Sequence, residues 1–416
     1  NFLMLLLTTL IFIRLETSMN VKKYFAVILF SVFSVFAFSA ELSFFLGDNT
    51  DLKFDSEEYS DPTLKQSEAF SALAKIPFNK KGTTFLSLEA SLSHSYEKIF
   101  GDNSNSENNF IADLNILKFS SIIECSAGKF FLDAGRLFLP DLSQSVFAQS
   151  LDGASAQFSA SWLDVSVFGG YTGLLNLKNI SVLNSGGYVW EPGDEDENDF
   201  YDFCAPYIAG GVKISLPYLL LNQTISLEGL GFWDTEGPAD SPEDEDNRFY
   251  GTLRLDGPLA PMVFYGLSGT ASSTDFSDFG FLGRANISLF PDFKSSSVTI
   301  SASYASGDRG PFVPFIGFTQ VTACLSADEP IYSGISKAGL FASIVPIDRL
   351  YCAVGGDAVF LDRDDNAFDY YGFQVYGNAK YYLFSDLALT LFASHFAGDS
   401  SDSSRTEIAL NAVISF

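Results

Sequence analysis

Residues 406–416 read T-E-I-A-L-N-A-V-I-S-F, and the fold turns on their spacing. In an extended chain successive side chains point to opposite sides. Ile408, Leu410, Ala412, Ile414 and Phe416 then share a wholly apolar face that ends on an aromatic ring. Glu407, Ala409, Asn411, Val413 and Ser415 share the other, mixed face. The alternation recurs upstream. Ala154, Ala156, Phe158, Ala160 and Trp162 stand against Ser155, Gln157, Ser159 and Ser161. Phe249, Gly251, Leu253 and Leu255 stand against Tyr250, Thr252, Arg254 and Asp256, and the segments 83–94 and 371–383 repeat the pattern. None shows the three- and four-residue apolar spacing of a helix. The polar faces carry whole charges and need water, while the apolar faces mix Ala, Gly and Leu as lipid tolerates. One soluble core cannot serve both faces; a closed barrel with a wet interior does.

Composition agrees. The 416 residues hold 43 Phe and 18 Tyr, yet 51 Asp+Glu against 24 Lys+Arg give a net charge of −27. Such a balance suits a lipid-facing belt with acidic outer loops. It argues against nucleic acid, because no basic stripe is available to neutralise phosphates. Cys125, Cys204, Cys324 and Cys352 are far apart, so neither a zinc site nor a disulfide framework is expected.

An alternating last strand closed by Phe416 resembles the terminal strand of bacterial outer-membrane barrels, and the whole pattern resembles the porin class. The resemblance implies that the barrel-assembly machinery reads Phe416 as an assembly signal. Short turns are expected near 79–82, 126–129, 161–164, 216–219, 257–260, 291–296, 345–348 and 384–386. Longer loops are expected near 47–66, 95–109, 139–153, 173–202, 234–247, 272–279, 306–333, 361–368 and 398–404. The expected fold is therefore an all-β, transmembrane, antiparallel barrel of about 18 strands, with short periplasmic turns and long extracellular loops. The first strand (Glu41–Leu46) and the pair 110–125 and 129–137 are its weak members; dropping that hairpin leaves about 16 strands.

Three segments precede or make up this unit. Residues 19–40 (two lysines, the apolar run Tyr24–Phe38, then Ser39-Ala40) read as a cleavable signal peptide for export. Residues 1–18 read as upstream sequence from a wrong start, and 41–416 as the barrel.

The loop 139–153 carries Leu142, Val146, Phe147 and Leu151, which water would not favour, so it is expected to fold into the lumen. The third loop of general porins does the same. Arg136, Asp141, Gln144, Gln149 and Asp152 are the candidate constriction residues, with the guanidinium set against the two carboxylates across a transverse field. The loop 306–333, with its P-F-V-P-F-I-G-F, competes for this role. An acidic mouth is expected from Glu191, Asp194, Glu195, Asp196, Glu197, Asp199 and Asp202, and from Glu243, Asp244, Glu245 and Asp246. It should concentrate cations within a Debye length, about 8–10 Å.

Other chemistry is thin. Asp194-x-Asp196-x-Asn198 and Asp362-x-Asp364-x-Asn366 open like calcium loops but lack the glycine at position six and the glutamate at twelve. The two histidines, His94 and His395, have no orienting partner in sequence, so no enzyme, metal or cofactor is expected. The reading is a passive outer-membrane channel for small hydrophilic solutes, mildly cation-favouring. Its expected partners are outer-membrane lipid, the assembly machinery and small solutes or cations; homo-oligomer formation is left open. The alternative is a surface adhesin or structural barrel that binds through its acidic loops.

Overall fold

The computed structural model describes residues 41–55, 62–100, 106–184, 187, 201–219, 221–235, 246–308, 312–319, 333–363, 366–399 and 404–416. The proposed upstream segment and signal peptide lie outside them. The chain forms β1 (Glu41–Asp55), β2 (Thr63–Pro77), β3 (Thr84–Ile99), β4 (Ser106–Cys125), β5 (Gly128–Pro140) and β6 (Ala148–Ser159). It continues with β7 (Asp164–Tyr171), β8 (Tyr207–Leu216), β9 (Thr224–Asp234), β10 (Arg248–Ala260), β11 (Val263–Ser273) and β12 (Gly280–Leu289). The last strands are β13 (Ser297–Ala305), β14 (Ile335–Ile347), β15 (Leu350–Arg363), β16 (Asn366–Tyr382), β17 (Leu387–Gly398) and β18 (Arg405–Ser415). All belong to one 18-stranded sheet in which each strand pairs with its sequence neighbours and β1 pairs with β18. Every ladder is antiparallel, and the β1–β18 pairing closes the sheet into a barrel.

The closing strand decided the expectation and also closes the barrel. β18 runs beside β1 from Phe45↔Ser415 to Asp55↔Arg405. Phe44 and Phe416 exchange both backbone hydrogen bonds, at 2.8 and 3.0 Å, and their rings lie 5.7 Å apart.

Burial alternates in the opposite sense to a soluble sandwich. On β9, Leu227 is 56% exposed while its neighbour Glu228 is 5% exposed. On β10, Leu253 is exposed and Thr252 buried. Leucines out and carboxylates in make sense only where the outside is hydrocarbon and the inside polar. A charge on the outer face is therefore costly. Leu253 lies in the middle of β10, so Leu253→Arg is expected to destabilise the barrel by about 2–4 kcal/mol. Reversible unfolding in lipid vesicles measures this, and an unchanged midpoint would contradict the outward assignment.

The expected connections recur with four loops shortened. The stretches expected as loops at 47–66, 95–109, 139–153 and 361–368 shrink to 56–62, 100–105, 141–147 and 364–365, and β1 runs to Asp55 rather than Leu46. Beyond the membrane both strand faces are wet, so alternation fades although the backbone ladder goes on: Asp51 still pairs with Lys65, and Ser95 with Asn109. The turn expected at 257–260 is instead 261–262, because β10 absorbs Gly257 and Pro258 before a register shift ahead of Ala260. A bulge falls at Asn115, which the β3–β4 register skips. It matters: Asp113 and Lys118 are five apart in sequence, and strict alternation would put them on opposite faces. Both nevertheless meet interior partners, Arg136 at 3.6 Å and Asp133 at 3.9 Å.

Candidate functional site: the loop-narrowed lumen

Eighteen strands enclose a space too wide for wall side chains alone to fill. Three connections fold into it. The loop 141–147, between β5 and β6, is built around Asp141. Its carboxylate accepts backbone N–H bonds from Ser143 (2.7 Å), Ser145 (3.0 Å), Val146 (3.1 Å) and Phe147 (2.9 Å), and the Ser143 hydroxyl at 2.5 Å. Gln144 turns the corner at φ 55° and is exposed. The Asp141 charge therefore organises its own loop, and this corrects its expected place opposite Arg136. Gln149 lies in β6, buried, opposite Leu139.

The loop tip is held by the far wall. Leu142 donates its N–H to Glu228 of β9 at 2.6 Å, Arg254 of β10 donates to the Leu142 carbonyl at 3.3 Å, and Arg284 of β12 to the Ser143 carbonyl at 2.9 Å. A loop rooted on β5 and β6 that ends on β9, β10 and β12 has crossed the interior. Arg254, Ser268, Arg284, Ser303 and Lys337 occupy one register row across β10–β14, so bases recur on alternate strands. Asp256 and Asp357 lie two residues along on β10 and β15, with Asp357 held by Gln374 Nε2 at 2.7 Å.

The two loops expected to compete for the lumen pack on each other. Phe318 and Thr319 both donate backbone N–H to the Val146 carbonyl at 2.9 Å, and Ala148 donates to Thr319 Oγ1. From the β7–β8 connection, Leu183 donates to the Phe318 carbonyl at 2.9 Å. Their side chains make an apolar core inside the barrel. Phe232 stacks on Phe318 at 3.9 Å, Phe147 lies 5.4 Å from Phe232, and Tyr207 meets Phe318 edge-on at 4.9 Å.

Arg136 has a different place from the one expected. The β4–β5 ladder stops at Leu117↔Arg136, while β4 continues beside β3 and β5 beside β6. At this parting Gly135 takes φ 121°, and a Cβ there would strike the Leu117 carbonyl. A ribbon from the β7–β8 connection fills the gap, held by the Asn176–Phe203 bridge and by bonds from Leu177 to Asp202 and from Cys204 to Leu175. Arg136 joins all sides. It forms a bidentate pair with Asp152 (3.0 and 2.8 Å) and donates to the carbonyls of Leu114 on β4 and Leu174 in the ribbon, both at 2.8 Å. Asn179 reaches Asp113 at 2.6 Å. Burial raises the Tyr201 phenol above its ordinary value, with Arg136 pulling the other way. Arg136 and Asp152 thus seal a seam in the wall and do not face each other across a field.

Of the acidic mouth, Glu191, Asp194, Glu195, Asp196, Glu197, Asp199, Glu243, Asp244 and Glu245 lie outside the described residues. The other two are paired rather than free. Asp202 is buried against Lys178 at 3.4 Å, and Asp246 sits 3.0 Å from Arg248 and accepts from the Tyr207 hydroxyl at 2.8 Å. Among the described residues no group of three His, Cys, Asp or Glu side chains is arranged to hold a metal ion.

The thiols report on the same packing. Cys125 is exposed and Cys204 buried, and burial pushes the Cys204 thiol up to about 12. At about pH 8 a water-soluble maleimide is expected to modify Cys125 and spare Cys204 until denaturant is added. Site mapping by mass spectrometry checks this; rapid native labelling of Cys204 would contradict the packed ribbon.

A closed barrel with leucine outside, charge inside and inward loops is a transmembrane barrel of porin architecture. Solved structures share it. OccK7 (OpdD) of Pseudomonas aeruginosa matches with a TM-score of 0.59 at 11% identity, over 91% of this chain and 99% of that one. OccK5 (OpdH) of the same organism matches at 0.59 and 12%, over 91% and 98%. A BenF-like porin from Pseudomonas fluorescens matches at 0.61 and 11%, over 91% and 98%. No family model matches the sequence, and no curated protein matches it.

Proposed function

We propose that the chain is an outer-membrane channel for passive diffusion of small hydrophilic solutes, through a lumen narrowed by the loop 141–147. The observation that carries the reading is the loop tip fastened to Glu228, Arg254 and Arg284 on the far wall. A wide barrel so narrowed passes small solutes and stops large ones, and it needs no catalytic group. Residues 19–40 export the chain, and the Phe416 strand guides its assembly. The acidic loops favour cations at the entrance, while the row of Arg254, Arg284 and Lys337 favours anions within. In series these give a slight net preference, toward cations because the chain carries −27 overall.

Liposomes containing the barrel should swell in small sugars, more slowly as sugar size rises. No swelling, with surface binding of an envelope or host partner retained, would favour the adhesin. A reversal potential of anion-selective sign under a salt gradient would overturn the charge preference alone.

A further inference from the structure

We propose that the outer wall between β10 and β15 is a seat for one hydrocarbon tail of a membrane lipid, entering with its head toward the extracellular rim. The proposal rests on the reading of the barrel as membrane-spanning. Most of the outer face carries large side chains such as Leu227, Leu391 and Leu410. Here two register rows shrink: Gly269 and Gly283 in one, Ala285, Ala302 and Ala338 in the next. The wall is indented by a cavity of about 730 Å³, bounded by Leu253 on one side and Phe360 and Phe368 on the other.

Small residues only make room; the rest of the lining says for what. Tyr304 and Ser336 face each other across β13 and β14 at the loop end of the cavity, with Phe368 5.9 Å from the Tyr304 ring. Below them, toward the short-turn end, the outward positions are Ala302, then Ile300 and Leu340. The cavity is thus hydrocarbon over nearly all of its lining, with the two hydroxyls of Tyr304 and Ser336 at its extracellular end, which is the order of polarity of an outer-leaflet lipid. It is continuous with the apolar face that hydrocarbon already covers.

The test uses the whole barrel in mild detergent with palmitoyl-oleoyl phosphatidylglycerol, counting retained lipid by native mass spectrometry. Ala302→Leu and Gly283→Leu fill the cavity; Leu391→Ala on another part of the wall is the control. A leucine that fills the cavity takes the place of the tail and its packing contacts, so the lipid should be lost rather than merely loosened. The expected result is one lipid held by the wild type and the control and lost from both filled variants, with Tyr304→Phe intermediate. Equal retention in the filled variants, or none in the wild type, overturns the proposal. So does a wild-type dimer that the filled variants lose, because the occupant is then a second copy. Channel steps that persist in the filled variants show that the barrel reading stands whichever way the lipid result falls.

Discussion

Glu228→Ala is expected to raise the open conductance and make it noisy, because the loop 141–147 then loses its anchor on β9. The Leu142 N–H donates to this carboxylate at 2.6 Å, and the pair is the shortest of the three tip contacts. Removing the acceptor leaves the Leu142 N–H unsatisfied at a cost of about 1–3 kcal/mol, so the ratio of latched to free loop should fall by roughly fivefold to a hundredfold. Arg254 and Arg284 still touch the tip, so the loop should leave in bursts rather than permanently. Glu228→Gln keeps an acceptor oxygen in reach and should stay close to wild type. An alanine variant with wild-type conductance and wild-type noise would mean that the latch carries no load.

The second large effect concerns the wall. Arg136→Ala removes the only described side chain that bonds Asp152, the Leu114 carbonyl and the Leu174 carbonyl together. It leaves Asp113 and Asp152 poorly hydrated, their side chains 10% and 23% exposed, without that cation. Breaking such a pair from one side costs about 3–5 kcal/mol. Heating should therefore melt the compact detergent-resistant form well below the wild-type temperature. Arg136→Lys should recover only part of the loss, because an ammonium cannot reproduce the planar fork on Asp152. A melting temperature within a degree or so of wild type would contradict the sealing role.

These residues show how far the sequence could be read. The strand count followed from alternation plus turn chemistry, because a barrel wall imposes its two-residue period on every segment that crosses lipid. Loop lengths were overestimated where the wall rises into water, since there Asp51 and Asn109 satisfy a ladder as well as any valine would. Leu142, Val146 and Phe147 announced an inward loop through their apolarity alone. What no local pattern could show was register between distant strands. Arg284 carries no signal in its own segment, and it matters only because β12 stands opposite the loop tip. Arg136 was legible as a partner of Asp152, but its actual task depends on the parting of β4 from β5. That parting has one faint mark in the sequence, Gly135. Asp141 misled because a carboxylate in a loop looks free, although the amides of 143–147 fold around it.

Single-channel recording in planar bilayers, across a series of potassium chloride concentrations, tests the central claim most directly. A water-filled barrel narrowed by a fixed loop predicts discrete, ohmic steps whose size grows in proportion to salt and increases in Glu228→Ala. Properly folded, detergent-extracted barrel that inserts yet gives no steps at any salt concentration would contradict it.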